Sequence, residues 1–372
     1  MSCLLSTASV GNQASEREGR HNRLHILAAG LDMDERVAGI LTEHRVIFER
    51  AGQLMVVLSP EKHSRILALL RQVLNEAERR AVSVFTGDGS QFPVLRLLDE
   101  WWRVHETGWF ARALSEDRFV TWFQPIVDTS AQRIVGHECL IRLFFGRSYS
   151  GAEILDAAWV RDEVNAFDSQ ARRLSIRSAA GQSRDGVYFV NFLPSSIYNP
   201  ELCLKNTVQC LGESGLRPEN IVFEVVESEL VRDQVHLQNV IDFFRQNGFR
   251  VALDDFGTRA DSMQLLRNLR PDYIKIDRAL TQGVENPLYG ATIRRLSELC
   301  DRMGVTFIAK GVEHRQTVEN LWLLGVETMQ GYLFGRPAPH ISVPPDELLS
   351  LARALEPGCR VAALASAGAR EA

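Results

Sequence analysis

From about residue 117 onward, short apolar runs alternate with amphipathic stretches, the pattern of βα units that assemble into a parallel sheet. Eight runs read as strands: TWFQPIV (121–127), IVGHECLIR (134–142), VYFVNF (187–192), IVFEVVE (221–227), RVALDDF (250–256), YIKID (273–277), TFIAK (306–310) and TMQGYLF (328–334). Helical faces separate several of them. One starts after Ser228, aligns Leu237, Val240, Ile241 and Phe244, and stops at Gly248; another aligns Ile293, Leu296, Leu299, Cys300 and Met303 and stops at Gly304. Only DTSAQR separates the first two strands, too short for a parallel crossover, so they are expected to pair antiparallel. The predicted class is α/β, a TIM-like (β/α)8 barrel with one antiparallel strand. An open doubly wound sheet would also alternate, but it calls for a glycine-rich phosphate loop after its first strand, and the sequence has none.

Upstream of the barrel the pattern changes. Residues 1–20 are small and polar without periodicity and read as a disordered tail. Residues 21–95 read as a small α/β module of unknown role. HRVIFER and QLMVVLS are strand-like, Ser59 and Pro60 announce a helix with Ile66, Leu69, Leu70 and Val73 on one face, and AVSVFTG follows as a strand. A connector over 96–116, within PVLRLLDEWWRVHETGWFARAL, is helical and rich in Leu and Trp, which suits packing better than cofactor binding. The barrel is expected over 117–345. A C-terminal helix, DELLSLARAL, and a small-residue mobile tail fill 346–372.

The composition, 45% hydrophobic and 24% charged over 372 residues, is that of an ordinary globular protein able to bury a core. A net charge of −5 gives no bulk attraction to nucleic acid or anionic lipid, although a few local cations can still hold a small phosphate ligand. The six cysteines form no C-x-x-C pair and sit mostly among apolar neighbours, which suggests a reduced, cytoplasmic setting. No run approaches the roughly 18 apolar residues of a membrane span, and the N-terminus has no signal-peptide core.

The chemistry lies in polar residues that interrupt the strands. Glu138, Asn191, Glu224, Asp254, Asp255 and Lys275 each fall at or near the C-terminal end of an apolar run, where burial would cost several kcal/mol without a shared purpose. In a barrel these ends converge on the catalytic rim. Alternation in IVFEVVE lets Glu224 point inward while Glu227, on the other face, supports a loop. Any one strand acid is more often a rim salt bridge than a ligand. Five oxygen donors at matching depth suit Mg²⁺ or Mn²⁺ better than zinc, and the two adjacent aspartates could bridge a metal pair for in-line phosphate displacement.

The ordered motifs FQPIV, ECLIR, FVNF, FEVVE, DDFGT, YIKID, AKGVE and QGYLFGRP resemble the EAL-domain proteins, which bind and hydrolyse the bacterial second messenger cyclic di-GMP. The resemblance spans about residues 117–340. It implies that Glu138, Asn191, Glu224, Asp254 and Asp255 hold the metals and that Lys275, with Glu138 and Asp255, is catalytic. By the same resemblance Arg142 holds a phosphate, and Gln124, Leu140, Gln330 and Arg336 line the nucleotide site. The implied reaction opens one phosphodiester to give linear pGpG. The family also makes a homodimer plausible, and residues 21–95 would be free to meet a protein partner. No GGDEF run precedes the barrel, which argues against synthesis of the messenger.

Three residues depart from the family's pattern. Lys310 stands where A-E-G-V-E has its acid, reversing a charge beside the expected metals; unless Lys310 loses its proton, the loss could approach a thousandfold in rate, from about 4 kcal/mol per unit charge. Arg259 replaces a glycine and Asp261 a serine in the loop after the fifth strand, where Asp261 would face Glu227 and could unseat the second metal. Three readings follow. The foremost is a metal-dependent phosphodiesterase with activity impaired by these changes; the alternative is a catalytically weak or inactive cyclic di-GMP receptor; the third is an interaction module that binds neither metal nor nucleotide.

Overall fold

The computed structural model describes residues 23–58, 63–87, 95–226, 234–257 and 262–349. The chain divides into two compact units, one built from residues up to Arg112 with Trp159–Arg161, the other from Ala113–Ala158 and from Asp162 onward. Among the described residues no helix is long and apolar enough to cross a membrane.

The first unit is a five-stranded antiparallel sheet in the order β2-β3-β1-β4-β5, formed by β1 Arg23–Ala28, β2 Phe48–Ala51, β3 Leu54–Val57, β4 Val82–Gly87 and β5 Arg96–Leu97. Helices Leu31–Glu43 and His63–Val73 complete a β-α-β-β-α-β path with β1 in the middle, the split βαβ topology. Two elements therefore precede those expected from the sequence. Their signal is present: Leu24, Ile26 and Ala28 alternate, and Val37 and Leu41 stand one helical turn apart, all of them buried. The face of helix His63–Val73 also differs from expectation, since Ile66, Leu67 and Leu70 are buried while Val73 is 41% exposed. Leu74, one turn after Leu70, extends the true stripe. The Ser59–Pro60 start lies outside the described residues. The expected connector is a short strand followed by helices Leu98–Glu106 and Gly108–Ser115, interrupted at Thr107.

The second unit is a closed eight-stranded ring. Its strands are β6 Phe119–Asp128, β7 Arg133–Phe145, β9 Tyr188–Asn191, β10 Ile221–Val226, β11 Arg250–Phe256, β12 Tyr273–Ile276, β13 Thr306–Lys310 and β14 Thr328–Gln330, with β8 Arg147–Tyr149 folded back on β7 as a hairpin. β6 runs antiparallel to both neighbours, β7 and β14, and every other neighbouring pair in the ring is parallel. All eight sequence-predicted runs form these strands, and the reversed one is the first. Helices Gln234–Gln246 and Pro287–Met303 bury the predicted stripes, Leu237, Val240, Ile241 and Phe244 in one, Ile293, Leu296 and Cys300 in the other. Pro287–Met303 ends on Gly304 at φ 69°, the left-handed cap that glycine adopts without strain.

The last strand is shorter than TMQGYLF suggested. It stops at Gln330 because backbone crosses beside Gly331: Val312 donates its amide to Gln330 (3.0 Å), and Leu333 donates to Val312 (3.1 Å). A Cβ on Gly331 would overlap the carbonyl oxygen, nitrogen and carbon of Val312. Gly331→Ala is therefore expected to lower stability by about 1–3 kcal/mol in urea unfolding. Gly212→Ala, inside helix Lys205–Ser214 where a Cβ meets nothing within 4 Å, is expected to be neutral or to stabilise by about 0.5–1 kcal/mol; equal effects at the two sites would refute the close-approach argument.

Candidate functional site

The site rests on an apolar layer inside the ring. Ile126, Phe189, Val222, Ala252, Tyr273 and Ile308 form one buried cluster, a single residue from each of six strands. Side chains two apart on a strand share a face, so Asn191, Glu224, Asp254, Lys275 and Lys310 lie one level higher on the parallel strands. On reversed β6 the matching position is two before Ile126, which is Gln124. Cross-strand register agrees, pairing Gln124 with Glu138, Asn191 with Glu224, and Lys310 with Gln330.

Two lysines organise this polar level. Lys275, fully buried, places Nζ 2.9 Å from Glu138 and 2.6 Å from Glu224. Gln330 donates to Glu138 (2.7 Å) and to Gln124 (3.2 Å), Gln124 donates to the Gly335 carbonyl (3.1 Å), and the Asn191 amide reaches Glu138 at 3.4 Å. Lys310 places Nζ 2.8 Å from Asp254 and also pairs with Asp255. Neighbouring residues on a regular strand point to opposite faces, yet both aspartates reach one ammonium. The cause is a bulge: Leu253 to Phe256 spans three residues on β11 against two on β12, and Asp255 adopts φ 53°, in the left-handed region.

Electrostatics follow from this pairing. Burial opposes the Glu138 carboxylate, but Lys275 first, then Gln330 and Lys310, outweigh it and hold Glu138 at about 2. Burial pushes Glu224 up to about 8, with Glu138 and Asp254 adding to the rise and Lys275 countering it. Asp254 is raised by burial, against the pull of Lys310 and Lys275. Burial works against the charge on both lysines; the surrounding acidic groups overcome it and move each pKa upward. Lys310 thus stays charged. Two ammonium groups against four carboxyls, one of which keeps its proton, leave little uncompensated charge.

A profile of the EAL domain matches residues 108–337. The chain belongs to the EAL-domain family. Among relatives, the probable cyclic di-GMP phosphodiesterase PdeI of Escherichia coli K12 is 26% identical over 250 residues, covering 63% of this chain and 32% of PdeI. This chain spans about a third of the length of the first relatives it matches. A standalone versatile EAL protein from Vibrio cholerae O395, solved in its c-di-GMP bound form, is 29% identical with a TM-score of 0.57, covering 62% of this chain and 97% of that one. The manganese/cy-diGMP complex of Klebsiella pneumoniae BlrP1, 19% identical with a TM-score of 0.55, covers 86% of this chain and 97% of its own; it shares the fold, past the profile-matched segment.

Within this EAL barrel the expected residues divide into three groups. Glu138, Glu224, Lys275, Gln330, Gln124 and Asn191 form one connected cluster; Asp254 and Asp255 belong to Lys310 instead. Leu140, Arg142 and Arg336 stand apart from both: Arg142 donates to the Ile141 carbonyl (2.9 Å) and Arg336 lies 4.3 Å over the Tyr332 ring. Glu227, Arg259 and Asp261 lie outside the described residues. The expected Mg²⁺ or Mn²⁺ pair does not fit this arrangement, because a charged ammonium stands between the two aspartates, and among the described residues no three His, Cys, Asp or Glu converge as a cage.

One buried network escaped the sequence reading. Asp168 and Arg172 pair on helix Val164–Ala180, and Asp168 accepts from the Leu193 amide (3.1 Å) and the Ser196 hydroxyl (2.5 Å), pinning the loop that follows Asn191. Arg172 is pushed down to about 10 by burial and remains cationic at neutral pH. An acid and a base four apart on a helix ordinarily read as a solvated pair, so the sequence carries no signal of this role.

The raised Glu224 gives a stability test. Between its ordinary value of 4.5 and about 8 the folded chain keeps a proton that the unfolded chain releases, so this group costs stability as pH climbs through that window. Glu224→Gln is expected to flatten the decline in Tm between about pH 5 and 8; an unchanged slope would show that Glu224 is ionised in the folded state.

Proposed function

We propose that this EAL barrel is a cyclic di-GMP receptor that binds the dinucleotide at its mouth with little or no hydrolysis. The observation that carries the reading is Lys310, whose Nζ is 2.8 Å from Asp254 and in contact with Asp255. By family resemblance those carboxylates belong to metal, and here a fixed positive charge pairs with both and offsets one of their two negative charges. Arg142 and Arg336 remain as guanidinium groups suited to the two phosphates of the ring. Relatives named or solved with cyclic di-GMP support the choice of ligand.

Hydrolysis is the second reading, favoured by one specific feature. Glu138, Asn191, Glu224 and Lys275, the remaining members of the family's catalytic set, are all present and gathered in one cluster. Replacing Lys310 by the family's acid removes one positive charge and adds a negative one, so the site changes by two units toward cation binding.

The deciding measurement follows cyclic di-GMP turnover to pGpG, with Mg²⁺ or Mn²⁺ supplied, beside binding in chelator. The natural protein is expected to bind without added metal and to turn over slowly or not at all. Lys310→Glu is expected to raise turnover by about a hundredfold or more, consistent with reversing a misplaced charge. Equal, substantial turnover by both proteins would overturn the receptor reading in favour of the phosphodiesterase.

A further inference from the structure

β6 and β7 continue past the closed ring. β14 pairs with β6 only at residues 126–128, and β9 pairs with β7 only at 137–139, while β6 and β7 pair with each other from Phe119 opposite Leu143 down to the barrel. The upper part, with β8 added along β7 at residues 143–145, is a flap standing at the mouth. Its two faces differ sharply. One face is packed away: Phe119 and Leu143 are buried, and Phe119 meets Phe167 edge-on at 5.3 Å. The other carries Trp122, Leu140, Arg142 and Phe144 in unbroken alternation above Gln124 and Glu138, so it overlooks the site.

That overlooking face is aromatic and open. Phe144 is 54% exposed, its ring centroid lies 5.5 Å from that of Trp122 at a 36° tilt, and the Arg142 guanidinium sits 6.0 Å from the Trp122 ring. A second pair faces the mouth from the segment after β14, where Arg336 covers Tyr332. That segment is tied to β6 by reciprocal backbone bonds between Phe123 and Ala338 (2.7 and 3.0 Å) and by Gln124 on Gly335. Two aromatic–guanidinium pairs therefore border a site proposed to take a ligand with two purines and two phosphates. Each pair offers a π-face for a base and a cation for the adjoining phosphate.

We infer that Trp122 and Phe144, with Arg142 beside them, form a stacking platform for one guanine of cyclic di-GMP. The inference rests on the receptor reading above and extends it to named residues of the flap. The Trp122–Leu140 pair lies two strand positions, about 7 Å, above the Gln124–Glu138 pair. A base on the platform thus leaves its own phosphate within reach of Arg142 and the polar level below.

The test is calorimetric binding of cyclic di-GMP in chelator by the full chain and by Trp122→Ala, Phe144→Ala and Trp122→Phe, with thermal melts to confirm folding. Trp122→Ala and Phe144→Ala are expected to weaken binding by about tenfold or more, as loss of a base–aromatic stack does. Trp122→Phe is expected to keep most of the affinity, and ligand-induced quenching of tryptophan fluorescence is expected to shrink in that variant. Unchanged affinity in folded alanine variants would overturn the platform and leave the receptor reading intact. Absence of binding by the natural protein would overturn both.

Discussion

A fully buried ammonium group held between two acidic side chains is the constraint around which this barrel is arranged. Lys275 is fully buried and meets Glu138 and Glu224, each from a different strand. Removing one partner of such a set leaves a charge stranded in an apolar interior, at a cost of about 3–5 kcal/mol. The three residues therefore have to be present together and at one height. That height is set below by the apolar layer, and the layer is set by strand alternation. Polar chemistry and barrel packing thus share one geometry.

Lys310 repeats the device one strand further round, with a difference. Its partners come from consecutive residues, which requires the β11 bulge and the left-handed Asp255. A conformation that costs a non-glycine residue of order 1–3 kcal/mol persists only where surroundings over-determine it, and here the ion pair supplies that hold. The same pair settles the charge state of the lysine. Carboxylates on two sides outweigh burial, so the deprotonated amine considered as an escape from charge reversal has no support in this geometry.

Much of the barrel was legible because its strands are short apolar runs, each broken at the same relative height by a polar residue. DTSAQR alone forced an antiparallel pair, and glycines marked helix ends at Gly248 and Gly304. What the sequence withheld depends on contacts between distant segments. The strand ending at Gln330 is cut short by Val312, which lies close only in space. The bulge that turns Asp254 and Asp255 the same way breaks the period on which strand reading relies, and Asp168 with Arg172 looks like a surface pair until its helix is packed. In the first unit, RLHILA and the helix after it carried a readable alternation that the stronger apolar run QLMVVLS overshadowed.

The reversed direction of β6 changes where the barrel receives the upstream polypeptide. In an all-parallel (β/α)8 cylinder the first strand starts at the floor, the end that serves stability. Here Phe119, the first residue of β6, sits opposite Leu143 near the far end of β7. The chain therefore enters at the rim, and a pull or twist on the backbone preceding Phe119 would act first on Trp122 and its neighbours before it reached any ring-closing pair. Topology has made the entry point of the cylinder and the edge of its mouth one continuous ribbon.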